Sequence, residues 1–383
     1  MKMIKNVRIV TGCGDVIENG EIVFDRKILY IGNDYSGGVD EVIDGRGLTA
    51  VPGLIDAHCH VGLFGDSLGF EGADANEDSD PIMPQLRAID GINPQDRAFK
   101  EARKAGITTV VTGPGSANVI GGQFAAVKTA GICVDDMILK APCAMKIALG
   151  ENPKTVYNEK NQTPMTRMGT IALLRETLYK AVRYKEELEK YELDTEENDR
   201  PEYDIKLEAL LPVIRGELPV KVHAHRADDI CSAIRIAKEF DLQITIEHCS
   251  DGDIIADILE REKIPVMLGP TLTDRSKPEL KNLSFGTYKN LSDRGISVAI
   301  ITDHPEITIE NLPLCAALAV SHGMDEQKAL SAVTSAAAEN CGIENRVGKL
   351  RVGMDADIAV FTDIPVRFGA KCVMTFIDGE RVY

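Results

Sequence analysis

Apolar runs rich in Val, Ile, Leu and Ala recur through the middle of the chain, at 54–60, 108–112, 137–140, 144–149, 220–225, 243–248, 265–269 and 296–302. Runs of this length, closed by polar or glycine positions, predict strands buried on both faces. Between most of them the apolar positions recur at helical spacing, over 98–105, 169–189, 227–240 and 254–262. Eight strands alternating with helices predict a (β/α)8 TIM barrel. Little chain separates the third run from the fourth, and the neighbouring stretch 125–134 could form part of an extra hairpin.

The two ends have a different texture. Short β runs broken by glycine occupy 5–10, 21–24 and 27–31, and similar runs return at 356–361 and 372–383. They predict a small β-sandwich domain formed by both ends, residues 1–50 plus 344–383, beside a barrel domain of residues 51–343.

Composition refines this picture. Aromatic residues make up 5% of the chain and Trp is absent, so the core must be packed by aliphatic side chains. A formal charge of −17 without a compensating basic stripe argues against nucleic acid or an anionic membrane as partner. The acidic run 186–199 reads as a solvated helix face. No window approaches a membrane span, the first apolar stretch is too short for a signal peptide, and nine cysteines lack paired spacing. These features predict a cytoplasmic protein with reduced thiols, a small molecule as its substrate, and self-association into a homo-oligomer.

The histidines change the picture most. VPGLIDAHCH at 51–60 ends a strand with His58 and His60, whose i, i+2 spacing places them on one face. Alone, this could be a polar strand end in solvent. However, His223 and His225 end the fifth predicted strand, His248 ends the sixth, and Asp303 and His304 follow the eighth. In a barrel all these strand ends converge on one mouth. Neutral imidazole and carboxylate are the donors that Zn²⁺ and similar ions accept. Such an ion lowers the pKa of a coordinated water towards about 7, and Asp303 can serve as general base. Cys59 and Cys249, facing away by alternation, are expected in the core.

These motifs resemble the amidohydrolase superfamily, in the branch of imidazolonepropionase and the metal-dependent prolidases. VPGLIDAHCH is similar to its PGxxDxHxH signature, HAH at 223–225, EH at 247–248 and TD at 302–303 to its later strand-end motifs, and GKLRVGMDADIAV at 348–360 to its return into the β-sandwich. The resemblance covers nearly the whole chain. It implies one or two divalent metal ions, with zinc expected, held by His58, His60, His223, His248 and Asp303, with His225 contacting substrate or supporting the ligands. Many members bridge two ions with a carboxylated lysine, and Lys146 at the end of the fourth strand resembles it; Glu151 is the rival, since other branches bridge with glutamate. A lysine buried among apolar residues has a lowered pKa, and its neutral amine can react with CO₂.

Loops at the mouth supply candidate substrate contacts. The stretch 113–123 carries four glycines, so that backbone amides and Gln123 could approach a ligand. Arg226 after HAH and Arg167 could clamp a carboxylate, His304 could touch substrate, and 62–90 is long enough for a lid. The expected function is metal-dependent hydrolysis of a C–N bond, in a cyclic or dipeptide-like amide, with Asp303 as general base and a metal or His225 stabilising the oxyanion. Deamination is the alternative, although the HxxE run of such enzymes is absent after the fifth strand. A non-catalytic scaffold is a further alternative, disfavoured because HxH and the strand-eight aspartate are both present.

Overall fold

The computed structural model of the protein describes residues 1–65 and 69–383. Strands β1 (Lys2–Val10), β2 (Val16–Phe24), β3 (Ile28–Gly32), β4 (Glu41–Asp44) and β5 (Thr49–Pro52) come first. The barrel strands follow: β6 (Leu54–Cys59), β7 (Ile107–Thr112), β8 (Ile120–Lys128), β9 (Ile138–Ala148), β10 (Val220–Ala224), β11 (Ile244–His248), β12 (Val266–Leu268) and β13 (Val298–Ile300). The chain ends in β14 (Ile358–Phe361), β15 (Cys372–Ile377) and β16 (Glu380–Arg381).

Both ends share one sheet, in the order β16-β15-β14-β5-β1-β2-β3 with β4 beside β1. The join is the antiparallel pairing of β14 with β5, where Ile358 stands opposite Pro52. An aliphatic core including Ile4, Ile9, Ile22 and Ile358 packs there around Phe24 and Phe376, whose rings meet edge-on at 5.2 Å.

The second sheet runs β6 to β13 in chain order and forms a nearly closed eight-strand barrel with helices outside it. The helices Arg97–Lys104, Arg167–Leu193, Ala227–Phe240 and Ala256–Glu262 fall where the helical spacing predicts them. Asp96 and Thr166 cap the first two by accepting the Ala98 and Gly169 backbone N–H groups.

The strand register corrects the sequence reading at one place. Runs 137–140 and 144–149 are not two strands but belong to a single one, β9, because Pro142 sits in a bulge between the Ala126–Lys140 and Phe124–Ala144 pairs. There the ladder does not need the N–H that proline lacks. The missing strand is β8, which runs antiparallel to both β7 and β9. Its first residues fall in the stretch read as a glycine-rich loop, and the hairpin expected near 125–134 is this strand. Gly122, at φ 121°, explains the glycine: a Cβ would lie 2.7 Å from the Leu86 carbonyl oxygen. That close approach lets the segment before it lie along β8, with the Met83 N–H donating to the Ile120 carbonyl at 2.8 Å.

At the end of the barrel away from the mouth, β8 terminates in buried Lys128. Its ammonium binds Asp357 at 2.6 Å, Asp355 at 2.9 Å and Asp378 at 3.3 Å, so the DAD stretch ties the end sheet to the barrel. Among the described residues no helix is long and apolar enough to cross a membrane. The Lys128→Met variant should leave buried Asp357 without its cation, while Asp355 keeps Lys27 and Arg346, and lose about 3–5 kcal/mol of stability. Urea unfolding followed by circular dichroism reads this as a lower midpoint, and an unchanged midpoint would show that the cluster contributes nothing.

Candidate metal centre

The site begins at the barrel seam. Alternation on β6 places Asp56, His58 and His60 on one face, and the last two meet the chain leaving β13. The Asp303 N–H donates to the His58 carbonyl at 3.2 Å and the His60 N–H to the His304 carbonyl at 2.9 Å. Asp56, fully buried, accepts from the His58 N–H at 3.1 Å and from the Thr302 N–H and hydroxyl at 3.1 and 2.5 Å. Burial pushes its carboxyl up to about 7, against the pull of those donors.

Closing the seam assembles one group of metal-capable side chains, His58, His60 and Asp303. The Asp303 Oδ1 lies 3.2 Å from His60 Nε2 and 3.5 Å from His58 Nε2. A second group, His223, His225 and His248, comes from β10 and β11, with ring centroids 4.4–4.8 Å apart. His248 adopts φ 72°, in the left-handed region, which breaks strand alternation and lets it join the inward-facing Glu247 beside it. Asp303 is also left-handed, at φ 53°. Such conformations cost about 1–3 kcal/mol each and persist where the surroundings fix them.

Hydrogen bonds orient the rings. His60 Nδ1 is 2.7 Å from the Gly113 carbonyl, His248 Nδ1 2.8 Å from that of Gly269, and His225 Nδ1 2.8 Å from the Ser250 hydroxyl. His58 Nδ1 comes within 2.6 Å of Glu247 Oε2 without forming a hydrogen bond; that oxygen also pairs with the Lys221 ammonium at 3.1 Å, while Glu247 Oε1 accepts the Thr245 hydroxyl at 2.5 Å. Lys146 joins this interior layer, fully buried, with Nζ 3.2 Å from His58 Nε2.

Electrostatics favour a cation. Burial, with the field of Lys146 and neighbouring imidazoles, holds His58, His223 and His225 well below the usual histidine range, so they are neutral. Burial opposes charge on Asp303 too, but His248 and His60 outweigh it and hold the carboxyl below its usual range. Burial brings the Lys146 amine down to about 8, against the pull of Glu247 and Asp303. His223 Nε2 is buried without a hydrogen-bond partner. Neutral imidazoles, an ionised carboxylate and an unpaired buried nitrogen fit a divalent ion.

The sequence-predicted residues divide. His58, His60, His223, His225, His248, Asp303 and Lys146 come together around one cavity of about 400 Å³, apart from the fully enclosed His58 that underlies it. Glu151 lines the same cavity without joining either histidine group, as the first residue of the helix Glu151–Glu159, with its N–H on Glu279 Oε2 at 3.1 Å. Arg226 is turned out and paired with Asp228 at 2.8 Å, and Arg167 binds both oxygens of Asp229 at 2.9 Å. Neither is a free clamp, because each finds its carboxylate in the first turn of the helix Ala227–Phe240. Gln123 lines a different groove, with Arg87 and Pro142, because Phe124 takes the inward position on β8. His304 turns the chain instead, its Nδ1 accepting the Ile309 N–H at 3.2 Å. Of the expected lid, Phe64 and Asn76 line the cavity, and 66–68 lie outside the described residues. Cys59 and Cys249 pack in the core as expected.

Sequence reading gave no role to Asp56, Lys221, Glu247 or the buried Glu279. Charged residues inside the apolar strands 54–60, 220–225 and 243–248 were the available signal, since burial obliges each to find a partner.

A crystal structure of an amidohydrolase from Thermotoga maritima MSB8 superposes with a TM-score of 0.95 at 38% identity, covering 100% of both chains. The chain belongs to the amidohydrolase superfamily. A model described as amidohydrolase family matches residues 217–383. The amidohydrolase tasK of Hapsidospora irregularis is 29% identical over 366 residues, 89% of this chain and 37% of that one, so the chain spans under half of that relative's length. A Xaa-Pro dipeptidase with bound methionine in its active site shares the fold, with a TM-score of 0.58 at 18% identity and 99% coverage of each chain.

Removing metal should destabilise this amidohydrolase, because an ion held only by the folded state stabilises it by about 4 kcal/mol at a thousandfold excess over Kd. Dialysis against a chelator should lower the melting temperature by several degrees and zinc should restore it. Equal melting curves with and without chelator would contradict metal binding at these residues.

Proposed function

We propose that this amidohydrolase is a divalent-metal-dependent enzyme that hydrolyses a C–N bond of a small molecule, a cyclic or dipeptide-like amide. The reading is carried by Asp303, 3.2 Å from His60 and 3.5 Å from His58, and by the grouped His223, His225 and His248 facing the same cavity of about 400 Å³. His58, His60 and Asp303 would hold one ion and His223 and His248 a second, with zinc the expected metal. Lys146, rather than Glu151, would be the bridging residue in this reading, once carboxylated by CO₂, because its Nζ lies 3.2 Å from His58 Nε2. When bound, the metal supplies Lewis-acid polarisation of the carbonyl and an acidified water at neutral pH.

Asp303 accepts the proton from the attacking water and returns it to the leaving nitrogen. His225 faces the same cavity. In the tautomer whose Nδ1 accepts from the Ser250 hydroxyl, Nε2 carries the ring proton and donates to the carbonyl oxygen as charge develops there. Glu247 places a carboxylate 2.6 Å from His58 Nδ1, on the side of the ring away from Asp303. A cytoplasmic setting agrees with nine free cysteines.

Asp303→Asn tests the reading. Asparagine keeps the shape and cannot take the proton, so turnover should fall about 10²–10⁴-fold with the fold intact. A panel of N-acyl amino acids, dipeptides and cyclic ureides supplies the substrate. Turnover by the variant above a tenth of the parent's would remove Asp303 from the mechanism, and release of ammonia from purines would favour deamination.

Lys146→Ala and Glu151→Ala separate the bridging candidates. Lys146→Ala should lose metal, measured by elemental analysis, and regain part of it with short carboxylic acids. Loss of metal in Glu151→Ala alone would transfer the role.

A further inference from the structure

The cavity at the barrel mouth contains a cation that the chemistry above leaves unused. Lys277 stands in the connection between β12 and β13, and its Nζ donates to Asn152 Oδ1 at 2.7 Å. Asn152 Nδ2 donates in turn to the Ser116 hydroxyl at 2.6 Å. Connections after β7, β9 and β12 are thus tied across the mouth, and all three side chains line the cavity that holds His225 and Asp303.

The charge of Lys277 reaches the site. Its field opposes protonation of His223 and His225 and favours ionisation of Glu279 and Glu306. Among the described residues, however, no carboxylate forms an ion pair with this ammonium, and its hydrogen bond goes to the neutral Asn152. Two of its three N–H donors remain for a ligand or water. The arginines nearby cannot substitute, since Arg167 and Arg226 are paired with Asp229 and Asp228. Glu151 and Glu306 line the same cavity, and their charge disfavours a dianion such as a phosphate ester more than a monoanion.

We propose that Lys277 binds a carboxylate of the substrate, and that the molecule hydrolysed is an N-acyl amino acid or dipeptide-like amide with a free carboxylate. This rests on the amide hydrolysis proposed above and chooses within it, against neutral cyclic amides. Lysine suits the task as a compact point charge at the end of a flexible stem, held at one donor by Asn152.

Calorimetric titration of the zinc-loaded full chain tests the proposal, with N-acetyl-L-amino acids and their matched C-terminal amides as probes. It yields Kd where a probe is inert and KM where it is cleaved. The acids should bind at least about tenfold more tightly than the amides, as a charge-assisted hydrogen bond implies. Lys277→Gln should erase that preference while zinc content and melting temperature stay near the parent's, and Lys277→Arg should keep part of it. Equal binding of acids and amides, no binding of either, or a preference retained in Lys277→Gln would overturn the proposal. Tight binding of the acids without cleavage would instead uphold Lys277 and overturn the amide-hydrolysis reading.

Discussion

Two backbone hydrogen bonds between the end of β6 and the chain leaving β13 set the rest of the site. The Asp303 N–H on the His58 carbonyl and the His60 N–H on the His304 carbonyl close the seam between β6 and β13. Residues about 245 positions apart in sequence thereby share one wall, and a carboxylate lands against two imidazoles. Asp56 secures the seam from below through Thr302. The left-handed backbone at Asp303 is tolerated because these bonds fix it from both sides.

The seam also creates an electrostatic problem, since the barrel interior below it must hold Lys146, Lys221 and Glu247 away from water. The solution is local pairing. Glu247 meets the Lys221 ammonium on one side and His58 on the other, and both lysines stand near the Phe124 ring, at 5.4 and 6.0 Å. Lys146 has no comparably close carboxylate among the described contacts, and burial lowers its amine's pKa accordingly. The layer supports the histidines and leaves the Lys146 amine among them, 3.2 Å from His58.

Much of this was legible in the sequence, for identifiable reasons. His58 and His60 were readable because strand side chains alternate, and Asp303 because it follows an apolar run at the expected spacing. The β-rich ends were readable from glycine-broken runs. β8 was hidden because its glycines serve close packing against the 81–87 segment rather than a loop, and β9 looked divided because of Pro142. Arg226 and Arg167 misled because their partners, Asp228 and Asp229, become neighbours only when the following helix forms. His248 reaches the site through a left-handed residue that no periodicity announces. Lys277 lies in a polar connection with no pattern at all, so only the folded chain brings it to Asn152.

The central claim is that the closed seam builds a metal centre from both histidine groups. Anomalous diffraction at the zinc edge, from crystals of the full chain grown with zinc, tests it most directly. The account predicts anomalous peaks within the barrel mouth, bounded by His58, His60 and Asp303 and by His223 and His248. A mouth without anomalous signal at saturating zinc, with His58 and His60 bonded only to protein, would contradict it.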